Sequence, residues 1–200
     1  MTNYANNSIT LGADGNLVQN DTGFEDLRFP LIGRRMSTAA GHLDYNYAEL
    51  GVDYDDSSRL HNADALDFVC QLEHSYKFES TIYPHLHWAQ SHANIPNWLI
   101  GYRVYENGAA IPGTWDYAKG TEVAAYSSGT ILQITNFTPI TMSGIDSLSA
   151  IIDFKLYRDT SNTSTLFAGG DPLSGDALAK EFDVHFQKDT PCGSAQEYVK

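Results

Sequence analysis

The sequence predicts an all-β protein, a β-sandwich whose preferred form is a jelly roll with an extended N-terminal arm. Several stretches alternate apolar and polar residues, which is typical of strands with one buried face. Turn-forming residues separate these stretches, and helical periodicity is scarce. Six or more short strands with little helix favour a sandwich. An immunoglobulin-like sandwich fits the same pattern.

The alternating stretches follow one another along the second and later parts of the chain. They are ALDFVCQLEHSY (65–76), NWLIGYRVYE (97–106), TILQITNFT (130–138), LSAIIDFKLYRD (148–159) and EFDVHFQKD (181–189). The pair Asn107-Gly108 predicts a hairpin turn after the second of them. GDALAKEF (175–182) is the best candidate for helical structure, as a short turn at most.

The opening of the chain has a different composition. Residues 1–60 are polar, rich in Gly, Asp, Asn and Tyr, and carry few apolar stripes. We therefore expect residues 1–60 to form an extended arm with loops, and residues 61–200 to form a single sandwich domain.

The charge balance excludes some functions. The chain has 12 Lys and Arg against 25 Asp and Glu, a formal charge of -13, so it should repel nucleic acid.

No stretch approaches the ~18 apolar residues of a membrane span. The opening residues lack the basic and apolar regions of a signal peptide, so we expect the protein to be made in a cytosol and to stay soluble or assemble there. Cys70 and Cys192 are predicted to be free thiols.

The stretch TIYPHLHWAQ (81–90) places two histidines on one face of a predicted strand. Leu86 and Trp88 share the apolar face, while His85 and His87 lie opposite, about 6.5 Å apart along the chain. This spacing can supply two ligands to one metal ion. His185 is the best third ligand, with His74 and His92 as further options.

The sequence favours a polar network or a subunit contact over a metal site, because two histidines alone are a weak signal. We therefore predict no cofactor, and a set of interaction residues made of His85, His87, Asp183 and His185. Trp115 and Tyr117 join this set as an aromatic pair that could stack on a sugar. Trp88 and Trp98 are expected in the core.

No catalytic motif stands out, and the chain is predicted not to be an enzyme. The sequence has no G-x-S-x-G element and no phosphate-binding glycine loop. The acidic run from Asp53 fails as a calcium loop, because Ser58 stands where the loop requires glycine.

Three stretches, taken together, carry a resemblance to a known family. They are FPLIGRRM (29–36), LEHSYKFESTIYPHLHW (72–88) and EFDVHFQKDTPCGSAQEYVK (181–200). They resemble a family of small virion proteins of tailed bacteriophages, with a PHxHW strand and a DxxGSxxExxK-like ending. The matching residues are Pro84, His85, Leu86, His87, Trp88, Asp183, His185, Asp189, Gly193, Ser194, Glu197 and Lys200. Tyr76 stands where the family has Trp, and the Gly that follows in the family is either Glu79 or absent in this chain, so the turn before the PHLHW strand departs from the pattern.

The resemblance implies a non-enzymatic structural protein of the virion. The first expectation is a head decoration (cement) protein that binds the major capsid protein or other virion proteins, as a symmetric oligomer with a trimer favoured. A neck, tail or fibre-associated component is the next alternative. A carbohydrate- or host-surface-binding module follows. A cupin-like metal-binding protein comes last, because HLHWAQSHAN offers no Glu after the histidine pair.

Overall fold

A computed structural model describes residues 9–11, 13, 17–19, 23–31, 48–50, 65–90, 96–121, 131–159, 162, 164–170 and 177–188 of the chain. These residues form strands joined by turns, and no helix occurs among them. No helix long and apolar enough to cross a membrane is therefore found in this part of the chain. The strands are β1 (Ile9–Leu11), β2 (Leu17–Gln19), β3 (Gly23–Pro30), β4 (Ala48–Leu50), β5 (Ala65–Gln71), β6 (Tyr83–Gln90), β7 (Trp98–Tyr105), β8 (Asp116–Lys119), β9 (Ile131–Asn136), β10 (Ile151–Arg158) and β11 (Ala177–Lys188).

Two antiparallel sheets make up the body of the protein. One has four strands in the order β5-β10-β7-β8, and the other has the order β3-β11-β6-β9 with β4 also paired to β11. Their facing side chains join in one buried cluster, so the prediction of an all-β sandwich is confirmed. β1 and β2 form a separate two-stranded sheet. The chain crosses between the sheets repeatedly, as a jelly roll requires, and the jelly roll itself stays a prediction.

Aromatic rings fill the space between the sheets. Phe182 of β11 lies 4.8 Å from Phe68 and 5.2 Å from Phe154, measured between ring centroids. Trp88 and Trp98 meet edge to face at 5.8 Å, and both are buried, as predicted for core residues. The Trp88 indole donates a hydrogen bond to the Thr135 hydroxyl at 2.9 Å, which satisfies its polar atom inside the core.

Two segments differ from the sequence-based expectation. β3 lies within the opening 60 residues, yet it pairs with β11 inside the five-stranded sheet, because Leu27 and Phe29 pack against the core. GDALAKEF was the best helical candidate, and its residues from Ala177 onward belong to β11 instead. Pairing with β4 and β6 there overrides the helical propensity of Ala, Leu, Lys and Glu. Also within the predicted arm, β1 and β2 pair with each other and β4 pairs with β11. The other residues of the arm lie outside the described ranges.

The turn before β6 contains a backbone conformation that suits glycine. Glu79 has φ of +59°, in a turn closed by a hydrogen bond from Ser80 N–H to the Lys77 carbonyl at 3.1 Å. The turn before β6 is therefore present, and Glu79 occupies its left-handed position.

Replacing Glu79 by glycine is expected to raise the free energy of unfolding by about 1 kcal/mol. Glycine removes the clash between Cβ and backbone that left-handed φ imposes on other residues. Urea unfolding followed by circular dichroism measures the change. Glu79→Ala is the matched control, since it removes the carboxylate but keeps Cβ, and an equal gain from alanine would show that backbone strain is not the cause.

Gly120 lies where two parts of the core approach closely. A Cβ at this position would stand 2.7 Å from the Thr135 methyl and 3.0 Å from the Trp98 carbonyl oxygen. Gly120→Ala should therefore cost about 1–3 kcal/mol of stability by overpacking. Gly113→Ala is the control, because nothing lies within 4 Å of its Cβ position. Thermal unfolding of both variants tests this, and equal melting temperatures would contradict it.

Candidate functional site

The outer face of the five-stranded sheet carries a group of ionisable side chains. In β6 the alternation buries Leu86 and Trp88 in the core and turns His85 and His87 to the opposite face. In β11, Asp183 lies directly opposite His85 across the strand pair. His185 and Asp26 lie next to them. We call the five residues the His–Asp cluster: His85, His87, Asp183, His185 and Asp26.

One carboxylate oxygen joins the two histidines of β6. The Nε2 atoms of His85 and His87 each lie 3.0 Å from Oδ2 of Asp183. Asp183 is 3% exposed and His85 is 7% exposed, whereas the His87 side chain retains 22% of its exposure. The contact therefore ties the central strand β11 to its neighbour β6 at a nearly dry position, open to solvent on the His87 side.

His185 makes a separate pair. Its Nε2 atom lies 3.0 Å from Oδ1 of Asp26 on β3, and its ring meets the His85 ring edge to face at 4.5 Å between centroids. The sequence suggested His185 as the third group beside His85 and His87. The structure places Asp183 in that position and His185 next to it.

The other histidine options are placed elsewhere or lie outside the described residues. His74 faces a different part of the surface, where its Nε2 atom is 3.0 Å from the Ser149 hydroxyl. His92 is not among the described residues.

A partly exposed arginine borders the cluster. Arg28 Nη2 is 2.8 Å from the Glu181 carboxylate, and Arg28 Nε is 4.0 Å from Oδ1 of Asp183. That Oδ1 atom is buried and accepts no hydrogen bond from the described residues. The sequence reasoning missed Arg28 and Asp26. The alternation of Asp26 and Arg28 with Leu27 and Phe29 was the signal that could have identified them.

Burial sets the charge state of His85. Removal from water lowers the pKa of His85 below its ordinary value of 6.5, although the negative charge of Asp183 acts in the opposite direction. Neighbouring His185 and His87 lower the His85 pKa further. His85 is therefore neutral at neutral pH, so its contact with Asp183 is a hydrogen bond from an imidazole N–H to a carboxylate.

The aromatic pair predicted to stack on a sugar lies on the four-stranded sheet. Trp115 and Tyr117 flank Gly101, where a Cβ would meet both rings at 3.4 and 3.3 Å. The Trp115 ring also has two cations over it, with the Arg103 guanidinium 4.6 Å and Lys155 Nζ 5.2 Å from its centroid. The Trp115 ring, which the sequence predicted to stack on a sugar, is therefore in contact with cationic side chains of the same chain.

Cys70 is the described cysteine, and it is buried in β5. Burial raises the pKa of its thiol to about 12, so it is a thiol and not a thiolate at neutral pH. Cys192 lies outside the described residues.

Apolar side chains are exposed close to the His–Asp cluster. On β9, at the end of the five-stranded sheet, Leu132 and Ile134 are 53% and 45% exposed. A groove of about 580 Å³ lies next to His185. Its apolar walls are Phe24, Tyr83, Pro84, Phe137 and Pro139. Exposed apolar surface of this kind is typical of contacts with other proteins.

Comparisons with known proteins give no family. No protein-family model and no curated protein matches the chain. The dimeric latent PorU from Porphyromonas gingivalis is a similar solved structure, with a TM-score of 0.33 and 12% identity over 84% of this chain and 13% of that chain. The infectious bursal disease virus Gx strain structure is another, with a TM-score of 0.34 and 11% identity over 92% of this chain and 38% of that chain. This chain spans less than half of either structure, and TM-scores this low support no conclusion about its function.

Proposed function

We propose that this chain is a non-enzymatic structural protein of a tailed-bacteriophage virion, a head decoration protein that binds the outer capsid surface as a symmetric oligomer. The observation that carries this proposal is the convergence of the described parts of the three stretches that resemble phage virion proteins. Phe29 and Pro30 lie on β3, the PHLHW residues on β6, and Asp183 and His185 on β11. These strands are adjacent in one sheet.

The convergence gives the resemblance a structural meaning. Residues more than fifty positions apart in sequence contribute to both faces of the same three strands. Leu86, Trp88 and Phe182 enter the core, while His85 and Asp183 meet on the outer face. The described residues of the motif therefore belong to one structural unit, and this supports the resemblance better than isolated matches would.

The surface suits a protein that assembles with neighbours. The outer face of the five-stranded sheet combines the His–Asp cluster with the exposed side chains of Leu132 and Ile134. Exposed apolar side chains on an end strand of the described sheet offer apolar area to a partner. The net charge of -13 keeps the free subunit soluble and suits an outward-facing shell component. A trimer at a local three-fold axis is the oligomer we expect.

Two measurements test this function. Multi-angle light scattering of the purified chain should show a trimer, and electron cryo-microscopy of the phage particle that carries it should show density for it on the outer head surface. Density on the neck, tail or fibre would move the chain to that part of the virion and contradict the decoration role. Absence of the chain from purified particles would contradict a virion function altogether.

A further inference from the structure

The contact between β6 and β11 has the composition of a metal site. Two imidazole nitrogens and one carboxylate oxygen, from His85, His87 and Asp183, all lie within 4.8 Å of one another. These are the donor types that divalent transition metals such as zinc prefer. The strand register produces this arrangement, because Asp183 is paired with His85, and His87 follows two residues later on the same face.

The distances suit one shared ion. Ligand atoms about 2.0–2.1 Å from a tetrahedral zinc ion stand roughly 3.3–3.4 Å apart. Both Nε2 atoms lie 3.0 Å from Asp183 Oδ2. The third separation, between the two imidazole nitrogens, is within 4.8 Å. Side-chain rotations that bring these nitrogens closer together and move both slightly away from the carboxylate would place all three atoms around one ion.

Burial and charge also favour a cation here. Asp183 is almost fully buried, and its Oδ1 atom accepts no hydrogen bond from the described residues. A buried carboxylate is stable only when it is compensated, and a bound dication compensates it directly. Arg28 compensates it weakly, since its Nε atom is 4.0 Å away and its Nη2 atom is engaged 2.8 Å from Glu181.

We propose that His85, His87 and Asp183 bind one divalent transition-metal ion, of the class of zinc, that cross-links β6 to β11. The solvent-exposed edge of His87 gives the ion its access and leaves a coordination position for water or for a group from another protein. His185 is outside the group of ligand atoms that lie within 4.8 Å of one another, and its Nε2 atom pairs with Asp26 instead. The proposed metal site does not depend on the proposed virion function, and each can be tested without the other.

Metal titration of the tag-free, chelator-treated chain tests the proposal. Isothermal titration with zinc should give one ion per chain, and zinc should raise the melting temperature. Cobalt, as a spectroscopic probe, should develop visible absorption bands that zinc then displaces. His87→Gln should weaken zinc binding by at least about 10-fold, because loss of even an outer partner of a ligand costs 10–100-fold. His87 is the preferred ligand variant, since its partial exposure makes misfolding a smaller risk.

Two matched variants decide whether the binding belongs to this site. His185→Gln removes the neighbouring histidine on β11, and His74→Gln removes a remote one. Both should bind zinc as the unaltered chain does. Absence of stoichiometric zinc binding would overturn the proposal. Equal zinc affinity in His87→Gln and the unaltered chain would overturn it too, as would a loss in His185→Gln as large as that in His87→Gln.

Discussion

Replacing Phe182 by alanine is expected to lower the free energy of unfolding by about 3–5 kcal/mol, the usual cost of removing a fully buried phenylalanine. The Phe182 ring packs against Phe68 and Phe154 of the opposite sheet and is 0% exposed. Its removal leaves a cavity at the centre of the contact between the sheets. Chemical unfolding followed by tryptophan fluorescence measures the loss.

Phe24 provides the matched control for this substitution. It is also a phenylalanine of the five-stranded sheet, but it lies on the outer face and is 54% exposed. Phe24→Ala should cost less than about 1 kcal/mol, as surface substitutions usually do. Similar losses from the two variants would show that the rings of Phe182, Phe68 and Phe154 do not hold the sheets together.

The second large effect is expected from Asp183→Ala, measured on metal-free protein. The substitution removes the oxygen that accepts hydrogen bonds from both His85 and His87. A buried donor left without a partner costs about 1–3 kcal/mol, and His85 is the more deeply buried of the two. We therefore expect a loss of at least that size in urea unfolding at neutral pH.

Asp183→Asn separates the role of the acceptor from the role of the charge. Asparagine keeps a carbonyl oxygen in nearly the same place, so it should retain part of the stability that alanine loses. Asp26→Ala serves as the control, because Asp26 pairs with a histidine at an exposed position, where such a pair contributes less than about 1 kcal/mol. If Asp183→Ala were as stable as Asp26→Ala, the buried contact of Asp183 with His85 and His87 would contribute no more to the free energy of unfolding than the exposed pair does.

The sequence predicted the local features of the fold and missed those that depend on distant pairing. Alternation in β6 correctly separated Leu86 and Trp88 from His85 and His87, because side-chain direction in a strand follows directly from sequence parity. The first part of β11, residues 177–180, was missed, because Ala, Leu and Lys favour helix until β4 and β6 supply partners. A pattern within a short stretch of sequence does not show which distant strands will pair with it.

The same limit applies to the candidate site. His85 and His87 could be identified from their spacing, and Asp183 from its position beside His185. Their convergence on one oxygen depends on the register between β6 and β11, strands separated by about ninety residues. The residues of the site could therefore be identified from the sequence, but their contacts could not, because these depend on the pairing of β6 with β11.

The position of β11 has a consequence for the order in which the protein folds. This strand pairs with β3 and β4 on one side and with β6 on the other, although it is the last described strand along the chain. A nascent chain that has not yet emerged beyond residue 177 lacks the strand that joins these three, and their ladder edges stay open. Contacts between residues so far apart in sequence form slowly, and until they form the unpaired strand edges are exposed and prone to aggregation. Completion of the five-stranded sheet must therefore wait until this segment has left the ribosome.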